Sequence, residues 1–394
     1  MRIDLAFPVL PPTLDGIGDH TAFLASALAE QAHDVRILTA QSSATPVPGV
    51  HIVDAFSTAS RQGVRALADA VAASPPDWFV LQYNPFSYGR WGLNLSLPPT
   101  LHEIRHRCPG TRVALMVHEP FVPVESWRFA LFTTWQRWQL WALGRQADLV
   151  LFSIAPWVER FQRWFPQTPL CLLPVGSNIP VAPSNRPALR EHLGIAPDTL
   201  VCGFFGSAHE SRDLGLLRPA LMRLREKGLD ASVLYVGTAG TTIRSMLADV
   251  PFHDAGPLPA DDVSRHMAAM DLFLAPFRDG VSTRRGSFMV GLQHGRPTVT
   301  TTGPDTDSDL HDAAGTAFLA APQGDPSAFA RQVEQLATDA ETRWRIGQAG
   351  ATLYSKTYDW PHVAVRLITT LSSIDSSSAP VSRRLGATPS GATS

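Results

Sequence analysis

Two adjacent arginines, Arg284 and Arg285, stand immediately before Gly286 and Ser287 in the second half of the chain. Guanidinium groups bind phosphate oxygens through paired hydrogen bonds, and a glycine lets an anion approach the backbone. Free N–H groups at the start of a helix would add further donors. The spacing therefore predicts a binding site for a diphosphate. The alternative is a solvated charged face, because arginine side chains are mostly exposed.

The elements around these arginines are predicted to be a strand, a polar loop, a helix and a second strand. Leu272–Phe277 is an apolar run of strand length, and Asp279 begins the turn that ends it. Ser287–His294 has helical composition, Gly295 stands where a C-terminal cap belongs, and Thr298–Thr302 is rich in β-branched threonine. The loop that carries Arg284 and Arg285, called the arginine loop below, would then lie at the carboxyl end of a parallel strand, where open α/β sheets bind ligands.

A histidine follows another predicted strand at the same edge of a sheet. His118 comes directly after Val113–Val117, so we expect it to face a cleft. Histidine is the side chain whose protonation changes near neutral pH, which suits it to a reaction site. The alternative is a loop histidine with ordinary hydrogen bonds.

The loop after the first strand is long and contains Gly16 and Gly18. A dinucleotide-binding fold would place GxGxxG in a tight turn, with an acidic residue about 20 positions further on. The second predicted strand instead ends at Thr39, followed by Ala40 and Gln41, so both marks are missing. We therefore predict a lid or cleft wall, followed by a helix over Asp19–Gln31 with Asp19 as its amino-terminal cap.

The composition places this chain among well-buried α/β proteins. It has 394 residues, with 44% hydrophobic residues, 17% charged residues and a net charge of -2. The length predicts two domains, and the nearly neutral charge argues against nucleic-acid binding. The three cysteines form no CxxC pair, which indicates a reducing compartment and no structural zinc site. With an amino-terminal apolar run too short for a signal peptide, and no apolar run of about 18 residues, we predict a cytoplasmic protein.

Apolar runs of strand length occur in two series. The predicted strands are Ile3–Phe7, Val35–Thr39, Trp78–Tyr83, Val113–Val117 and Leu149–Phe152, and then Leu200–Phe205, Ser232–Val236, Leu272–Phe277 and Thr298–Thr302. A Pro-rich linker with a short charged helix separates the series. This alternation predicts two Rossmann-like domains facing each other across a cleft. The predicted segments are an amino-terminal domain at 1–175, the linker at 176–199, a second domain at 200–358, a helix at 359–372 and a disordered tail at 373–394.

Six of the ten tryptophans lie between Trp127 and Trp164. Aromatic residues interspersed with arginines could form an interfacial helix that contacts a membrane surface, which would place the protein at the inner face of the membrane. A helix packed into the core is the more common role of such spacing. The sequence leaves both interpretations open.

Together these segments resemble family 4 glycosyltransferases, which are retaining enzymes of the GT-B fold. The resemblance covers about residues 1 to 372 and rests on the order of several motifs. These are PPTLDGIGDHTAFLASALAEQAHDVRILT, a strand ending VHEP, PVGSNIP before the second domain, GFFGSAHESRDLGLL, and PFRDGVSTRRGSFMVGLQHGRPTVTT.

The resemblance implies a nucleotide diphosphate sugar as donor, held mainly by the second domain without a metal cofactor. The acceptor would be a glycan, a lipid-linked sugar or a small molecule, as in polysaccharide biosynthesis. His118 would approach the transferred sugar as a catalytic residue. The residues implied to border or bind the donor diphosphate are Gly16, Gly18, Arg212, Arg285, Gly286 and Ser287.

The sequence departs from the family at the paired glutamates, which align with Ser282 and Val290. Arg284 and Arg285 could compensate for lost phosphate contacts, and Asp279 could contact a sugar hydroxyl as a second catalytic residue. Ser282 and Arg284 are assigned to the donor sugar or nucleotide. Because valine cannot hydrogen-bond a ribose, two alternatives remain open: a non-catalytic sugar-nucleotide-binding protein, and a GT-B sugar-nucleotide epimerase.

Overall fold

The computed structural model describes residues 1–122 and 127–377, without the side chains of residues 90, 127–131 and 377. Within these residues the strands form two parallel sheets. The first sheet contains β1 (Arg2–Ala6), β2 (Asp34–Thr39), β3 (Val50–Asp54), β4 (Trp78–Tyr83), β5 (Arg112–Val117), β6 (Leu149–Phe152) and β7 (Leu170–Leu172). The second contains β8 (Leu200–Phe205), β9 (Ala231–Val236), β10 (Phe252–Asp254), β11 (Leu272–Ala275), β12 (Thr298–Thr302) and β13 (Leu319–Pro322).

Helices connect the strands and cover both sheets. In the first half they are α1 (Gly16–Glu30), α2 (Arg61–Ala73), α3 (Pro85–Tyr88), α4 (Leu97–Arg107), α5 (Trp127–Gly144) and α6 (Ala155–Phe161), with α7 (Arg186–His192) in the linker. The second half contains α8 (Leu217–Glu226), α9 (Gly240–Met246), α10 (Ala260–Ala269), α11 (Gly286–Gln293), α12 (Ser308–Ala313), α13 (Pro326–Thr338), α14 (Ala340–Thr357) and α15 (Trp360–Ser377).

The strand orders are β3-β2-β1-β4-β5-β6-β7 and β10-β9-β8-β11-β12-β13. The paired strands of both sheets run parallel, as in the register of Ile3 with Val35 and with Trp78. Strands of this kind are buried on both faces, which explains why β4 and β9 are apolar along most of their length and buried throughout. The α/β prediction is confirmed.

The four strands that the sequence did not predict, β3, β7, β10 and β13, are the four edge strands of the two sheets. Their residues are largely exposed or half-buried, as in Val50–Asp54, whose five residues include none that is buried. A strand that is not buried on both faces has no need of a continuous apolar run. The edge strands therefore lack most of the apolar pattern by which the interior strands were predicted.

Two helix boundaries differ from the prediction by three residues or more, whereas the others lie within one residue of it. Helix α1 begins at Gly16 and not at Asp19, because the Asp15 carboxylate accepts hydrogen bonds from the N–H groups of Ile17 and Gly18. At the other end of the chain, α15 continues to Ser377, so the predicted start of a disordered tail at residue 373 is wrong. The remainder of that tail, 378–394, lies outside the described residues.

Helix α15 packs against the first half of the molecule. Its Trp360 ring stacks on Phe23 of α1, with centroids 5.6 Å apart, and Val363 and Leu367 belong to the same apolar cluster as Leu24. This contact returns the end of the chain to the first sheet and places Trp360 beside the loop after β1.

The tryptophans of the Trp127–Trp164 region have more than one environment. Trp157 is buried, whereas Trp138 and Trp141 are 43% and 41% exposed. The side chain of Trp127 lies outside the described residues. Among the described helices, none is long and apolar enough to cross a membrane.

Candidate active site

A cavity of about 290 Å³ lies between loops of the two halves. The amino end of α1, which follows β1, and the loops after β4, β5 and β11 contribute to its wall, so the carboxyl edges of both sheets face it. The linker and α15 close one side. The lining residues are Gly16, Ile17, His20, Asn84, His118, Val175, Gly176, Asn178, Arg284, Arg285, Gly286 and Trp360.

Beside this cavity, two arginines share one aromatic ring. The guanidinium carbons of Arg212 and Arg285 lie 5.0 and 4.9 Å from the centroid of Phe277. Although Phe277 was predicted to end a strand, β11 stops at Ala275, and Phe277 forms an isolated antiparallel bridge with Arg212. That bridge brings the loop after β8 to the arginine loop.

The guanidinium groups of Arg212 and Arg285 have unused hydrogen-bonding capacity. Buried nitrogens of both side chains, Nη1 of Arg212 and Nε and Nη2 of Arg285, have no hydrogen-bond partner among the described residues. Arg212 is only 8% exposed. The solvated-face interpretation therefore does not describe Arg285, and the free N–H groups suit an anionic ligand.

Burial lowers the pKa of both arginines, and neighbouring positive charges lower that of Arg285 further. Burial, followed by the neighbouring charges of Arg284 and Arg212, lowers the pKa of Arg285 to about 9. Burial lowers the pKa of Arg212 to about 10. Both groups are still protonated at neutral pH, so the structure holds two adjacent positive charges that a bound anion would stabilise.

Arg284 differs from Arg285 because its charge is already paired. Its guanidinium lies 4.8 Å from the ring centroid of Trp157 and 3.2 Å from a carboxylate oxygen of Asp305. Trp157 comes from α6 in the first half, so this stacking joins the two halves at the wall of the cavity. Arg284 is thereby oriented before any ligand arrives.

Arg212 and Ser287 meet at the start of α11. The Nη2 group of Arg212 donates to the Ser287 hydroxyl at 2.6 Å and to the Phe205 carbonyl at 3.0 Å. Neither Arg212 nor Ser287 is among the residues that line the cavity, but Gly286, next to Ser287, does line it. A Cβ on Gly286 would have its nearest neighbour at 3.9 Å, so this backbone is open to a ligand.

His118 lies on the opposite wall, where the sequence predicted it. Its Nε2 is 2.6 Å from the side-chain oxygen of Gln82, and its ring meets the His20 ring edge-on, with centroids 4.7 Å apart. Burial, and then the adjacent His20, lowers the pKa of His118 well below its usual value. The imidazole is therefore neutral at pH 7.

The two glycines at the start of α1, which were predicted to lie in a loop, have different environments. Gly16 lines the cavity. Gly18 does not: its N–H is bonded to Asp15, and a Cβ at this position would lie 2.6 Å from the Val9 carbonyl oxygen. The structure thus assigns Gly18 to packing of the loop against α1, which differs from the predicted phosphate contact.

Three residues singled out by the glycosyltransferase resemblance do not reach the cavity. Asp279 is exposed and lies outside the cavity lining, although its charge raises the pKa of Arg285 as one of the smaller influences. Ser282 and Val290 are fully buried, and the Ser282 hydroxyl has no partner within the described part of the chain. Neither Ser282 nor Val290 lines the cavity.

A buried carboxylate connects the arginine loop to the first half. Asp307 accepts hydrogen bonds from the Ala155 N–H at 2.5 Å and the Thr283 N–H at 2.6 Å. The Thr283 hydroxyl in turn donates to the Ser153 carbonyl at 2.6 Å. These bonds fix the loop that carries Arg284 and Arg285 against the turn between β6 and α6.

Sequence reasoning missed seven residues of the cavity wall: Ile17, His20, Asn84, Val175, Gly176, Asn178 and Trp360. His20 had a detectable signal, because it lies four residues after Gly16 and so on the same face of a helix. Asn178 gave no such signal, because its place in the wall depends on a long-range contact. Its amide donates to the Asp19 carboxylate of the first half at 2.9 Å. Among the described residues no cluster of three or more His, Cys, Asp or Glu side chains could hold a metal ion.

Comparison with known proteins agrees with this architecture. Residues 199–339 match a family model described as glycosyl transferases group 1. The matched segment contains Arg212 and the whole arginine loop. No curated protein sequence gives a significant match.

Solved structures of low sequence identity superpose over nearly the whole chain. Sucrose-phosphate synthase from Thermosynechococcus elongatus gives a TM-score of 0.73 at 15% identity, covering 96% of this chain and 100% of that one. WaaG, a glycosyltransferase involved in lipopolysaccharide biosynthesis, gives 0.64 at 16% identity, covering 94% and 99%. Anabaena HepE in complex with UDP-glucose gives 0.63 at 15% identity, covering 95% and 100%. The predicted GT-B fold is confirmed.

Proposed function

We propose that this chain, which has the GT-B fold and a group 1 glycosyl transferase segment at residues 199–339, transfers a sugar from a nucleotide diphosphate sugar to an acceptor with retention of anomeric configuration. The donor binds mainly to the second half, residues 200–358, and the acceptor to the first, residues 1–175. A uridine nucleotide is the first candidate, because the Anabaena HepE structures contain UDP and UDP-glucose.

The observation that carries this proposal is the pair of arginines on Phe277. Arg212 and Arg285 are adjacent, mostly buried and without a carboxylate in hydrogen-bonding contact among the described residues. Two like charges in such a place are unfavourable unless an anion joins them. With Gly286 and the amino end of α11 next to them, the diphosphate of a sugar donor fits this chemistry.

These groups would also act on the reaction itself. As the bond between the anomeric carbon and the diphosphate oxygen breaks, negative charge grows on the diphosphate and positive charge on the sugar ring. Donors already in position beside the leaving group stabilise this transition state more than the ground state. Arg212, Arg285 and the α11 amides have that role in the proposal, and no metal ion is required.

Retention is proposed to proceed by attack on the face that the diphosphate leaves. The acceptor oxygen forms the new bond to the anomeric carbon as the old bond breaks, and the acceptor proton passes to the departing diphosphate oxygen. His118 lies on the wall across from the arginines and contacts the transferred sugar. This route needs no pair of catalytic carboxylates, in keeping with the positions of Asp279 and Ser282.

The acceptor is proposed to be a glycan, a lipid-linked sugar or a small molecule. WaaG acts in lipopolysaccharide biosynthesis, so a polysaccharide precursor is one option. Exposed Trp138 and Trp141 on α5 would suit an apolar acceptor or contact with a membrane surface. We also propose a cytoplasmic location, at the inner face of the membrane if the protein contacts it.

A second candidate is a sugar-nucleotide-binding protein without transferase activity. The burial of Ser282 and Val290 favours it, because the family's sugar and ribose contacts are missing at these positions. A donor that is bound but never consumed would establish this alternative. Isomerisation of the donor without any acceptor would instead indicate a sugar-nucleotide epimerase.

Thermal unfolding with a panel of nucleoside diphosphates and their sugars tests the proposal first. Ligands that bind only the folded state raise the unfolding temperature, so one nucleotide should give a clear increase. The donor chosen in this way is then incubated with candidate acceptors, and the product's anomeric configuration is determined. No increase with any nucleotide would contradict a donor site at Arg212 and Arg285.

A further inference from the structure

We propose that His20 binds the transferred sugar by donating an imidazole N–H to one of its hydroxyl groups, and that His20, His118 and Trp360 form the subsite for that sugar. The inference rests on the proposed function, since it concerns the sugar end of the donor. The inference goes beyond the proposed function because it names a sugar contact on the first half of the molecule.

His20 is a buried polar side chain that faces a cavity. Its residue is 1% exposed, and neither ring nitrogen has a hydrogen-bond partner among the described residues. It lines the same cavity as Arg285. Buried polar groups in proteins are almost always paired, so an unpaired imidazole at a cavity wall points to a ligand that completes the pairing.

Two rings hold His20 in place. Its ring meets His118 edge-on at 4.7 Å and Trp360 at 5.2 Å between centroids. Trp360 is itself fixed by stacking on Phe23 and by its indole N–H, which donates to the Ser177 carbonyl at 2.7 Å. The orientation of His20 is thus set by packing, and both ring nitrogens remain without a hydrogen-bond partner among the described residues.

The pair of imidazoles is uncharged at neutral pH. Burial lowers the pKa of His20 to about 3, and burial together with His20 lowers that of His118. Gln82, which is uncharged, is the hydrogen-bond partner of His118. A neutral imidazole offers one donor and one acceptor, which matches sugar hydroxyls, whereas a phosphate would favour the charged arginines.

The positions of His20 and His118 also indicate which part of the donor they would bind. A diphosphate on Arg285 and Gly286 would share the cavity with His20, His118 and Asn84, which line the wall contributed by the first half. Neutral hydrogen-bonding groups beside the indole of Trp360 suit a ring whose edges are hydroxyl groups and whose faces are apolar. The sugar therefore occupies this wall.

The test compares His20→Phe with the wild type. Phenylalanine keeps an aromatic ring against His118 and Trp360 but has no N–H. Dissociation constants for UDP and UDP-glucose are measured by calorimetry, with GDP and GDP-mannose and ADP and ADP-glucose as further pairs. His33→Phe is the matched control, because His33 lies outside the cavity lining. His20→Gln restores a side-chain N–H donor.

We expect His20→Phe to weaken the sugar nucleotide by about tenfold and to leave the matching diphosphate within about twofold. His20→Gln should recover part of the loss, and His33→Phe should change neither constant. Equal loss of both ligands with a lower unfolding temperature, or no loss of either, would overturn the assignment of His20. Failure of the wild type to bind any pair would overturn the proposed function itself, and this subsite with it.

Discussion

Arg212 and Arg285 come from different loops of the second half, yet their guanidinium carbons lie 5.0 and 4.9 Å from the centre of the same ring, that of Phe277. The isolated bridge between Arg212 and Phe277 creates this juxtaposition. It concentrates positive charge, with unpaired N–H groups, beside the cavity between the halves.

Replacing Arg285 with alanine should impair the reaction without harming the fold. A charge-assisted contact to the diphosphate is worth roughly 1.5 to 3 kcal/mol, so turnover should fall about tenfold or more. Removing one of two like charges should leave the unfolding temperature of the free protein unchanged or higher. Steady-state kinetics and thermal unfolding measure both effects. Arg331→Ala, on the exposed face of α13, is the control, and kinetics equal to wild type for Arg285→Ala would contradict the assignment.

Replacing His118 with alanine should separate transfer from donor binding. His118 faces the cavity from the first half, away from the arginines, so its loss should lower the transfer rate strongly and leave nucleoside diphosphate binding nearly intact. Kinetics and calorimetry on one preparation provide the comparison, with exposed His106→Ala as the control. Parallel losses of rate and diphosphate binding would indicate a role in folding instead.

Asp307→Asn should loosen the arginine loop. Asp307 accepts N–H groups of Ala155 and Thr283 on its two oxygens, and an asparagine can offer only one acceptor to these two donors. We expect a loss of roughly 1.5 to 3 kcal/mol in unfolding free energy together with weaker donor binding. Denaturant titration and calorimetry measure these effects. Exposed Asp309→Asn should show neither, and an Asp307 variant indistinguishable from it would exclude the connecting role.

The stability of the protein should depend on His20 at acid pH. Its folded pKa is lowered to about 3 from an ordinary value of 6.5. Between these values the unfolded chain binds a proton that the folded chain does not, so stability is full above pH 6.5 and falls as the pH drops. The contribution of one such group is about 1.4 kcal/mol per pH unit. Denaturant titrations across this range should show a shallower pH dependence for His20→Phe; identical slopes would mean that His20 accepts a proton in the fold.

Chelation of divalent metal ions should leave transfer unaffected. The proposal assigns charge stabilisation of the leaving diphosphate to Arg212, Arg285 and the amides of α11. We therefore expect equal rates with and without an excess of EDTA, measured with the donor identified by thermal unfolding. A rate that EDTA abolishes and magnesium or manganese restores would show that a metal ion shares this role.

The interior of each sheet could be predicted from the sequence, but its edges could not. Nine predicted strands correspond to interior strands, whereas β3, β7, β10 and β13 were missed. Interior strands are buried on both faces and need apolar runs, while an edge strand such as Val50–Asp54 is held mainly by backbone hydrogen bonds to one neighbour. Backbone bonds leave no pattern in residue type.

The arginine loop and His118 were predictable because local order fixes them. A strand, a turn and a helix amino end follow each other in the sequence, so Arg285 and Gly286 had to lie at a carboxyl edge of a parallel sheet. The same logic placed His118 after β5. The order of elements in the sequence thus determines at which edge of a sheet a residue lies.

Which residues meet across that edge depends on the tertiary structure. The Arg212–Phe277 bridge, the contact of Asp307 with Ala155, and the return of Trp360 beside His20 all join segments far apart in the chain. Each depends on how two sheets and a terminal helix pack, which is set by the summed burial of many side chains. The sequence thus determined the chemistry available at each loop, and packing of the two halves decided which groups form one site.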